Sequence, residues 1–169
     1  MAGTGIKDVV ARSGAPIGSL YHYFPDGKTQ LVSESLRINA DKSRRLLEQF
    51  FDGKRTAAAA LRLLFHTAAD GFERAGAHKG CAVGAVALDL TPGDAALREI
   101  CRSTFDDWVA IIEPRLPCSR ERARRAFAVT VVAALEGAFV LARAARSGDP
   151  FRDVGESLAS MMSARGRQR

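Results

Sequence analysis

Apolar residues recur at intervals of three and four along most of the chain, and this spacing restricts the fold more than any other feature. It is the spacing of one face of an α-helix, whereas the alternation typical of half-buried strands is nearly absent. Gly and Pro mark the breaks between the periodic segments. We therefore predict an all-α protein with helices at Ile6–Ser13, Pro16–Phe24, Lys28–Phe51, Thr56–Arg74, Ala82–Leu90, Asp94–Leu116, Ser119–Ser147 and Pro150–Ser163.

Charge and cysteine content narrow the function classes. The 25 Lys and Arg residues exceed the 19 Asp and Glu residues, giving a net charge of +6, which favours a polyanionic partner, with nucleic acid ahead of an anionic membrane. Cys81, Cys101 and Cys118 are widely spaced, which argues against a disulfide framework and a thiolate zinc site. The N-terminal sequence lacks the apolar core of a signal peptide. We therefore expect a cytoplasmic protein.

The apolar run from Phe127 to Ala142 is shorter than the ~20 residues needed to span a bilayer. It also contains Thr130 and Glu136, and a carboxylate is costly in hydrocarbon. We interpret the run as a buried protein helix and expect no membrane association.

Motifs that carry catalysis are missing from the sequence. His66 and His78 have no partner at the spacing of metal ligands. The sequence contains no phosphate-binding loop, no nucleophile elbow and no paired-carboxylate signature. We therefore expect no enzymatic activity, no metal and no cofactor.

The first thirty residues have the dimensions of a helix-turn-helix. Ile6, Val9 and Val10 form one apolar face of a short helix that Gly14 can end in a left-handed conformation. A second short helix follows at once, with Leu20 and Phe24 four residues apart on its inner face. In a helix-turn-helix, this second helix enters the major groove of DNA.

One continuous stretch of sequence sharpens this interpretation. Gly14–Pro25 (GAPIGSLYHYFP), followed by DGKTQL up to Leu31, resembles the recognition helix and the next helix of the tetracycline-repressor (TetR) family. Thr4–Gly14 (TGIKDVVARSG) resembles the helix that precedes them in that family. Lys79–Leu90 (KGCAVGAVALDL) is similar to a segment of the LmrA/YxaF-like subgroup.

The resemblance implies a homodimeric transcriptional regulator, with a DNA-binding domain at residues 1–45 and a ligand-binding and dimerisation domain at 46–169. It implies that small side chains open the recognition helix and that tyrosine, histidine and lysine side chains reach bases or phosphates. The alternative for Tyr21 and Tyr23 is that they are core aromatics, although Leu20 and Phe24 already fill the inner face. The implied DNA-binding residues are Thr4, Pro16, Ile17, Gly18, Ser19, Tyr21, His22, Tyr23 and Lys28.

The family's DNA-binding domain has three helices, and the first of them precedes the segment that begins at Thr4. The sequence leaves no room for that helix before Thr4. We therefore expect the DNA-binding domain of this chain to be truncated at its N-terminus and operator affinity to be weak without the missing helix.

Bulky apolar residues on several helices are candidates for a ligand pocket, since pockets are mostly apolar with few polar groups. The alternative is that they are ordinary core. Glu136 is the polar candidate, because a buried carboxylate needs a partner or a ligand; an intrachain arginine or a subunit contact is the alternative. The resemblance places the helix beginning near Cys81 in the pocket wall. The predicted ligand-binding residues are Phe65, Phe72, Cys81, Phe105, Trp108, Ile112, Glu136 and Phe139.

Helix Ser119–Ser147 is apolar nearly all round, which predicts burial on every side. Its small residues Ala126, Thr130, Ala133, Gly137 and Ala144 form a stripe suited to close contact with a second subunit. The last helix carries apolar residues at three and four spacing that would complete a four-helix seam; the alternative is that its methionines are ordinary core. These residues are Phe151, Val154, Leu158, Met161 and Met162.

The function we predict is repression of transcription from a near-palindromic operator, relieved by a small hydrophobic effector. Helix Lys28–Phe51 would act as the lever between the effector and the DNA. The second hypothesis is a dimer that binds a small molecule without binding DNA, and the third is a helical enzyme that uses the pocket.

Overall fold

The computed structural model describes residues 5–118 and 120–166, with side chains as far as Ser163. This part of the chain is all-helical, as predicted, and contains no strand. Its helices are α1 (Ile6–Ser13), α2 (Ile17–Tyr23), α3 (Gly27–Phe50), α4 (Ala57–Arg74), α5 (Ala82–Leu88), α6 (Ala95–Ile112), a 3-10 turn (Glu113–Arg115), α7 (Glu121–Ala145) and α8 (Asp149–Gly166).

The predicted helix Asp94–Leu116 is wrong at its C-terminal end. The α-helix stops at Ile112, and Glu113–Arg115 form a 3-10 turn with Pro114 in its first positions. Proline has no N–H to continue the ladder of an α-helix and its ring crowds the preceding turn. The predicted helix Ile6–Ser13 agrees with α1, and the remaining predicted helices differ from the observed ones by a few residues at their ends, where capping residues stand. Thr56, for example, caps α4 by accepting a hydrogen bond from the Ala59 N–H at 3.2 Å.

The described residues group into two compact units. One contains the chain up to Asp41 together with Ala82–Thr104, and the other contains Lys42–Cys81 together with the chain from Phe105 onward. Both α3 and α6 therefore contribute residues to the two units. The predicted division of the chain at residues 45 and 46 stays a prediction.

In the first unit, Leu20 and Leu36 are buried on α2 and α3. The N-terminal part of α6 contacts α5 at Cys101, whose thiol donates to the Val83 carbonyl at 3.8 Å. Desolvation at this buried position raises the pKa of Cys101. Cys101 is therefore a core residue of this unit.

In the second unit, α4 and α8 pack against each other along much of their length. Gly155 of α8 lies so close to Phe65 of α4 that a Cβ on the glycine would stand 2.6 Å from the Phe65 Cβ. One turn earlier on α8, the Arg152 guanidinium binds Glu73 at 2.9 Å and Asp70 at 3.4 Å. Close packing and ion pairs therefore join the two helices.

The predicted role of α8 in a subunit seam is partly wrong. Phe151, Leu158 and Met162 are buried within the protomer, because this face of α8 packs against α4 and α7. Met161, in contrast, is 54% exposed. The alternative that the methionines of the last helix are ordinary core residues is therefore correct for Met162 and wrong for Met161.

Helix α7 has one buried and one exposed side. Val131, Val132 and Leu135 are buried, whereas the small stripe predicted from the sequence is exposed. The exposed apolar residues beside this stripe are Val129, Val140 and Leu141. Among the described helices, α7 is long and apolar enough to cross a membrane, although core helices of soluble proteins pass the same test. The helix ends at Arg146, which adopts a left-handed conformation with φ +54°.

Candidate nucleic-acid interface and ligand site

Helix α2 presents one side to solvent and the other to the core of its unit. Leu20 is buried at 7% exposure, and Phe24, which follows the helix, is half-buried. Ile17 and Tyr21 lie one turn apart on the other side and are 48% and 52% exposed. The structure therefore does not use Tyr21 as a core residue, and the same is true of Tyr23, which is 71% exposed.

A three-residue turn fixes the orientation of α2 relative to α1. Gly14 adopts φ +68°, and its N–H donates to the Val10 carbonyl at 3.1 Å, which closes α1. The Ala15 N–H then donates to the Ser13 hydroxyl at 3.3 Å, and Pro16 is the N-cap of α2. A side chain at position 14 would strain this turn, so the glycine is needed for the two-helix arrangement.

The remaining predicted DNA-binding residues lie on the same short helix or next to one of its ends. Pro16, Gly18 and His22 are exposed, while Ser19 and Lys28 are half-buried. Lys28 is the second residue of α3, whose start is fixed by the Asp26 N–H donating to the Gln30 side chain at 3.1 Å. Thr4 lies outside the described residues. In chemical terms, α2 offers an exposed surface of small, aromatic and hydroxyl groups at the spacing of a helix face.

Two of the predicted ligand-binding residues, Phe72 and Phe139, both contact Phe151, which was predicted to lie in the seam between subunits. Phe139 of α7 packs edge-on against Phe151 of α8, with ring centroids 4.8 Å apart. Phe72 of α4 contacts the same ring at 5.8 Å. Phe151, predicted as part of a subunit seam, therefore joins the aromatic residues of three helices.

A second aromatic pair lies on α6. Phe105 and Trp108 are in edge-to-face contact with centroids 5.4 Å apart. The indole N–H of Trp108 donates to the Ser43 hydroxyl of α3 at 3.2 Å. Trp108 is almost fully buried, so this hydrogen bond satisfies a donor that would otherwise be desolvated without a partner.

Phe65 and Ile112 are almost fully buried. Phe65 packs against the backbone of α8 at Gly155, which is the environment expected of a core residue. The part of the chain that the structure describes does contain a groove of about 430 Å³ in this unit, but none of the predicted ligand-binding residues lines it. Its lining residues are Arg55, Thr56, Ala57, Ala58, Arg115, Pro117, Met162 and Ser163.

Glu136 of α7 is half-buried, and its Oε1 atom is enclosed without a hydrogen-bond partner. Burial raises the pKa of Glu136, and a hydrogen bond with the Cys81 thiol lowers it by less. Within residues 5–118 and 120–163, no arginine pairs with this carboxylate, so the intrachain alternative is not observed. The structure thus brings together two predicted residues, Cys81 and Glu136, that are far apart in sequence.

The histidines have ordinary surroundings. His78 lies beside the Gly76 carbonyl at 3.2 Å, and His66 is 4.0 Å from Glu156. Among the residues that the structure describes, no three His, Cys, Asp or Glu side chains come together as a metal site.

Comparisons with known proteins agree with this architecture. The family described as "Transcriptional regulator LmrA/YxaF-like, C-terminal domain" matches residues 57–157. The HTH-type transcriptional regulator LmrA of Bacillus subtilis is 28% identical over 95% of this chain and 86% of its own length. An HTH-type transcriptional regulator of Mycobacterium tuberculosis is 32% identical over 95% of this chain and 84% of its own length. The chain belongs to the LmrA/YxaF-like regulators of the TetR family.

A solved structure supports the same assignment. The regulatory protein TetR from Rhodobacter sphaeroides superposes with a TM-score of 0.77 over 94% of this chain and 88% of its own, at 25% identity. TetR-family regulators bind DNA operators and act as dimers with small-molecule effectors. The relatives are transcriptional regulators and not enzymes. The resemblance stated from the sequence is therefore confirmed for this TetR-family chain.

Sequence reasoning missed two residues that organise the candidate ligand site of this TetR-family chain. Ser43 was not singled out, because a serine on the polar side of a long helix carries no periodic signal. Phe151 was predicted to lie in the seam between subunits, because periodicity shows that a helix face is apolar and not which element covers it. The position of Phe151 just after Asp149 and Pro150 at the start of a helix does not identify that element either.

Proposed function

We propose that this protein is a ligand-responsive DNA-binding repressor of the cytoplasm, which reads its operator with the exposed side of α2. The observation that carries the proposal is the division of α2 into a buried side at Leu20 and an exposed side at Ile17 and Tyr21. Exposed apolar and aromatic groups on a short helix are costly in water unless a partner covers them, and the major groove accommodates a helix of this size.

Contacts of two kinds follow from this arrangement. Ile17 can touch a thymine methyl group, and Tyr21 can reach base edges or phosphates. Lys28 supplies positive charge at the start of α3, where it neutralises a phosphate. Pro16, Gly18, Ser19, His22 and Tyr23 complete the proposed surface, with Thr4 preceding it in the sequence.

The test begins with selection of duplexes from a random pool, followed by fluorescence anisotropy on the selected operator at several salt concentrations. Tyr21→Ala should weaken specific binding about 10–100-fold. Lys28→Ala should weaken all sequences alike and reduce the salt slope by about one. Lys54→Ala is the matched control, since Lys54 is an exposed lysine of the other unit, and it should leave affinity and slope unchanged.

Equal affinity for the wild type and both variants would contradict the assignment of α2. If a form of the protein that carries the family's first DNA-binding helix also selects no duplex while a small molecule still binds, the second hypothesis, a ligand-binding dimer without DNA-binding activity, replaces the first.

We also propose a homodimer in which the exposed stripe of α7 and the Met161 side of α8 meet their copies. Val140 and Leu141 are 63% and 57% exposed on the protomer, and a second subunit would remove this apolar surface from water. Gly137 has open space around it, so Gly137→Arg fits the protomer and should yield monomers in sedimentation. Gly71→Arg on α4, also at an open glycine, is the control and should remain a dimer. A dimeric Gly137→Arg protein would move the interface elsewhere.

The effector site in this proposal is the region around Glu136 and the aromatic residues near it. Support comes from the buried carboxylate oxygen without a partner and from the rings of Phe72 and Phe139, which both contact the ring of Phe151. Cys81, Phe105 and Trp108 complete the proposed lining, with Phe65 and Ile112 behind it. Binding of a small hydrophobic molecule here should release the operator, because it favours one conformation of the protein over another.

A further inference from the structure

The carboxylate of Glu136 is an unusual group for its position. It lies on α7 between the buried residues Leu135 and Ala138, and its Oε1 atom has no hydrogen-bond partner and almost no contact with solvent. A buried charge without a partner is costly, and proteins normally pair such groups or bind something to them. Among the described residues, Glu136 is the side chain whose buried oxygen or nitrogen is left in this condition.

Aromatic rings follow Glu136 on α7 and lie on the helices packed beside it. Phe139 lies one helical turn further along α7, and its ring packs against Phe151, which in turn contacts Phe72. Aromatic rings carry partial negative charge on their faces and attract cations. The described ion pairs of this unit place arginines at Glu73, Glu113 and Glu156, and none of them is at Glu136.

Cys81 does not supply what Glu136 lacks. A thiol is a weak hydrogen-bond donor, and its contact leaves Oε1 without a partner. A thiolate at this place would put two negative charges in contact, so the pair is best described as a thiol donor and a carboxylate acceptor. A stronger donor with a positive charge would satisfy this oxygen.

We propose that the effector of this protein is a hydrophobic amine whose protonated nitrogen donates a hydrogen bond to Oε1 of Glu136, while its apolar skeleton lies against Phe139 and the rings behind it. The inference rests on the proposed function, which locates an effector site around these residues, and it adds the chemical class of the effector. A charge-assisted hydrogen bond in a desolvated site is stronger than a neutral one, so the amine is selected over neutral analogues.

The experiment compares two probes with the same skeleton, 2-naphthylmethylamine and 2-naphthylmethanol, by isothermal titration calorimetry at neutral pH. The wild type should bind the amine about 10-fold or more tightly than the alcohol, as expected for a hydrogen bond to a charged group. Glu136→Gln keeps the size of the side chain and removes its charge, so it should abolish this preference and leave alcohol binding nearly unchanged. Glu121→Gln, an exposed glutamate at the start of the same helix, is the control and should keep the preference.

The outcomes separate the two proposals. If the wild type binds both probes equally, or if Glu136→Gln keeps the preference for the amine, the amine proposal is overturned while the effector site stands. If neither probe binds the wild type, both the amine proposal and the proposed effector site are overturned. If Glu136→Gln does not fold, Cys81→Ala decides instead: removing the competing thiol donor should raise the preference for the amine, and an unchanged or lower preference overturns the proposal.

Discussion

Gly155 on α8 offers a sharp test of the packing between α4 and α8. A Cβ at this position would lie 2.6 Å from the Phe65 Cβ and 3.2 Å from its Cγ, distances at which the backbone of one helix has to move. Forcing an extra methyl into a packed contact costs about 1–3 kcal/mol. Replacing glycine by alanine inside a helix also gains about 1 kcal/mol. Gly155→Ala should therefore lower the free energy of unfolding by about 0–2 kcal/mol.

The matched variant is Gly71→Ala on α4. Gly71 is also inside a helix, but nothing lies within 4 Å of its added Cβ, so only the helix gain of about 1 kcal/mol remains. The difference between the two variants isolates the packing cost of about 1–3 kcal/mol. Urea unfolding at one fixed protein concentration measures it, since a dimer's stability depends on concentration. A Gly155→Ala protein stabilised as much as Gly71→Ala would refute the close contact between the helices.

Three further variants test individual interactions. Glu136→Gln should raise the free energy of unfolding at pH 7, because the raised pKa of Glu136 means that its charged form is disfavoured in the folded state. In urea unfolding at several pH values, this gain should shrink as the pH falls toward 4.5. The absence of a gain at pH 7 would contradict the burial of the charge. Arg152→Ala should lower the thermal midpoint at pH 7, because the Arg152 guanidinium lowers the pKa of Glu73 and stabilises the fold while that carboxylate is charged. The loss should therefore fade as the pH drops below 4.5. A loss that does not depend on pH would point to packing instead. Ser43→Ala should cost about 1–3 kcal/mol by leaving the Trp108 N–H unsatisfied, and it should shift the emission of this single tryptophan, whereas unchanged emission would argue against the hydrogen bond.

The helices were predictable because the signals that define them are local. Gly14 ends α1 through its own left-handed backbone, and Thr56 caps α4 through an N–H three residues away. The exposed face of α2 was also predictable, since Leu20 and Phe24 leave Ile17 and Tyr21 on the other side of a short helix. These features depend on residues within one or two turns of each other.

The contacts between helices were not predictable in the same way. Trp108 binds Ser43 from 65 residues away, and Arg152 reaches Glu73 from 79 residues away. Periodicity states which face of a helix is apolar, but several helices compete to cover that face. This is why Phe151 was predicted to lie in the seam between subunits although its own chain buries it completely. The contact between Cys81 and Glu136 depends on the same tertiary packing.

The small residues on the exposed side of α7 also bear on which chains can pair inside one cell. In the homodimer proposed above, the surface formed by Ala126, Ala133, Gly137 and Ala144 would let the helix of the other subunit approach to the backbone, and it would give no room to a partner that carries a bulky residue at the facing positions. A related regulator with one large side chain there would be rejected by volume alone. Such a surface would prevent related regulators from forming heterodimers without the need for charge complementarity. It would thereby also prevent dimers that combine two operator preferences.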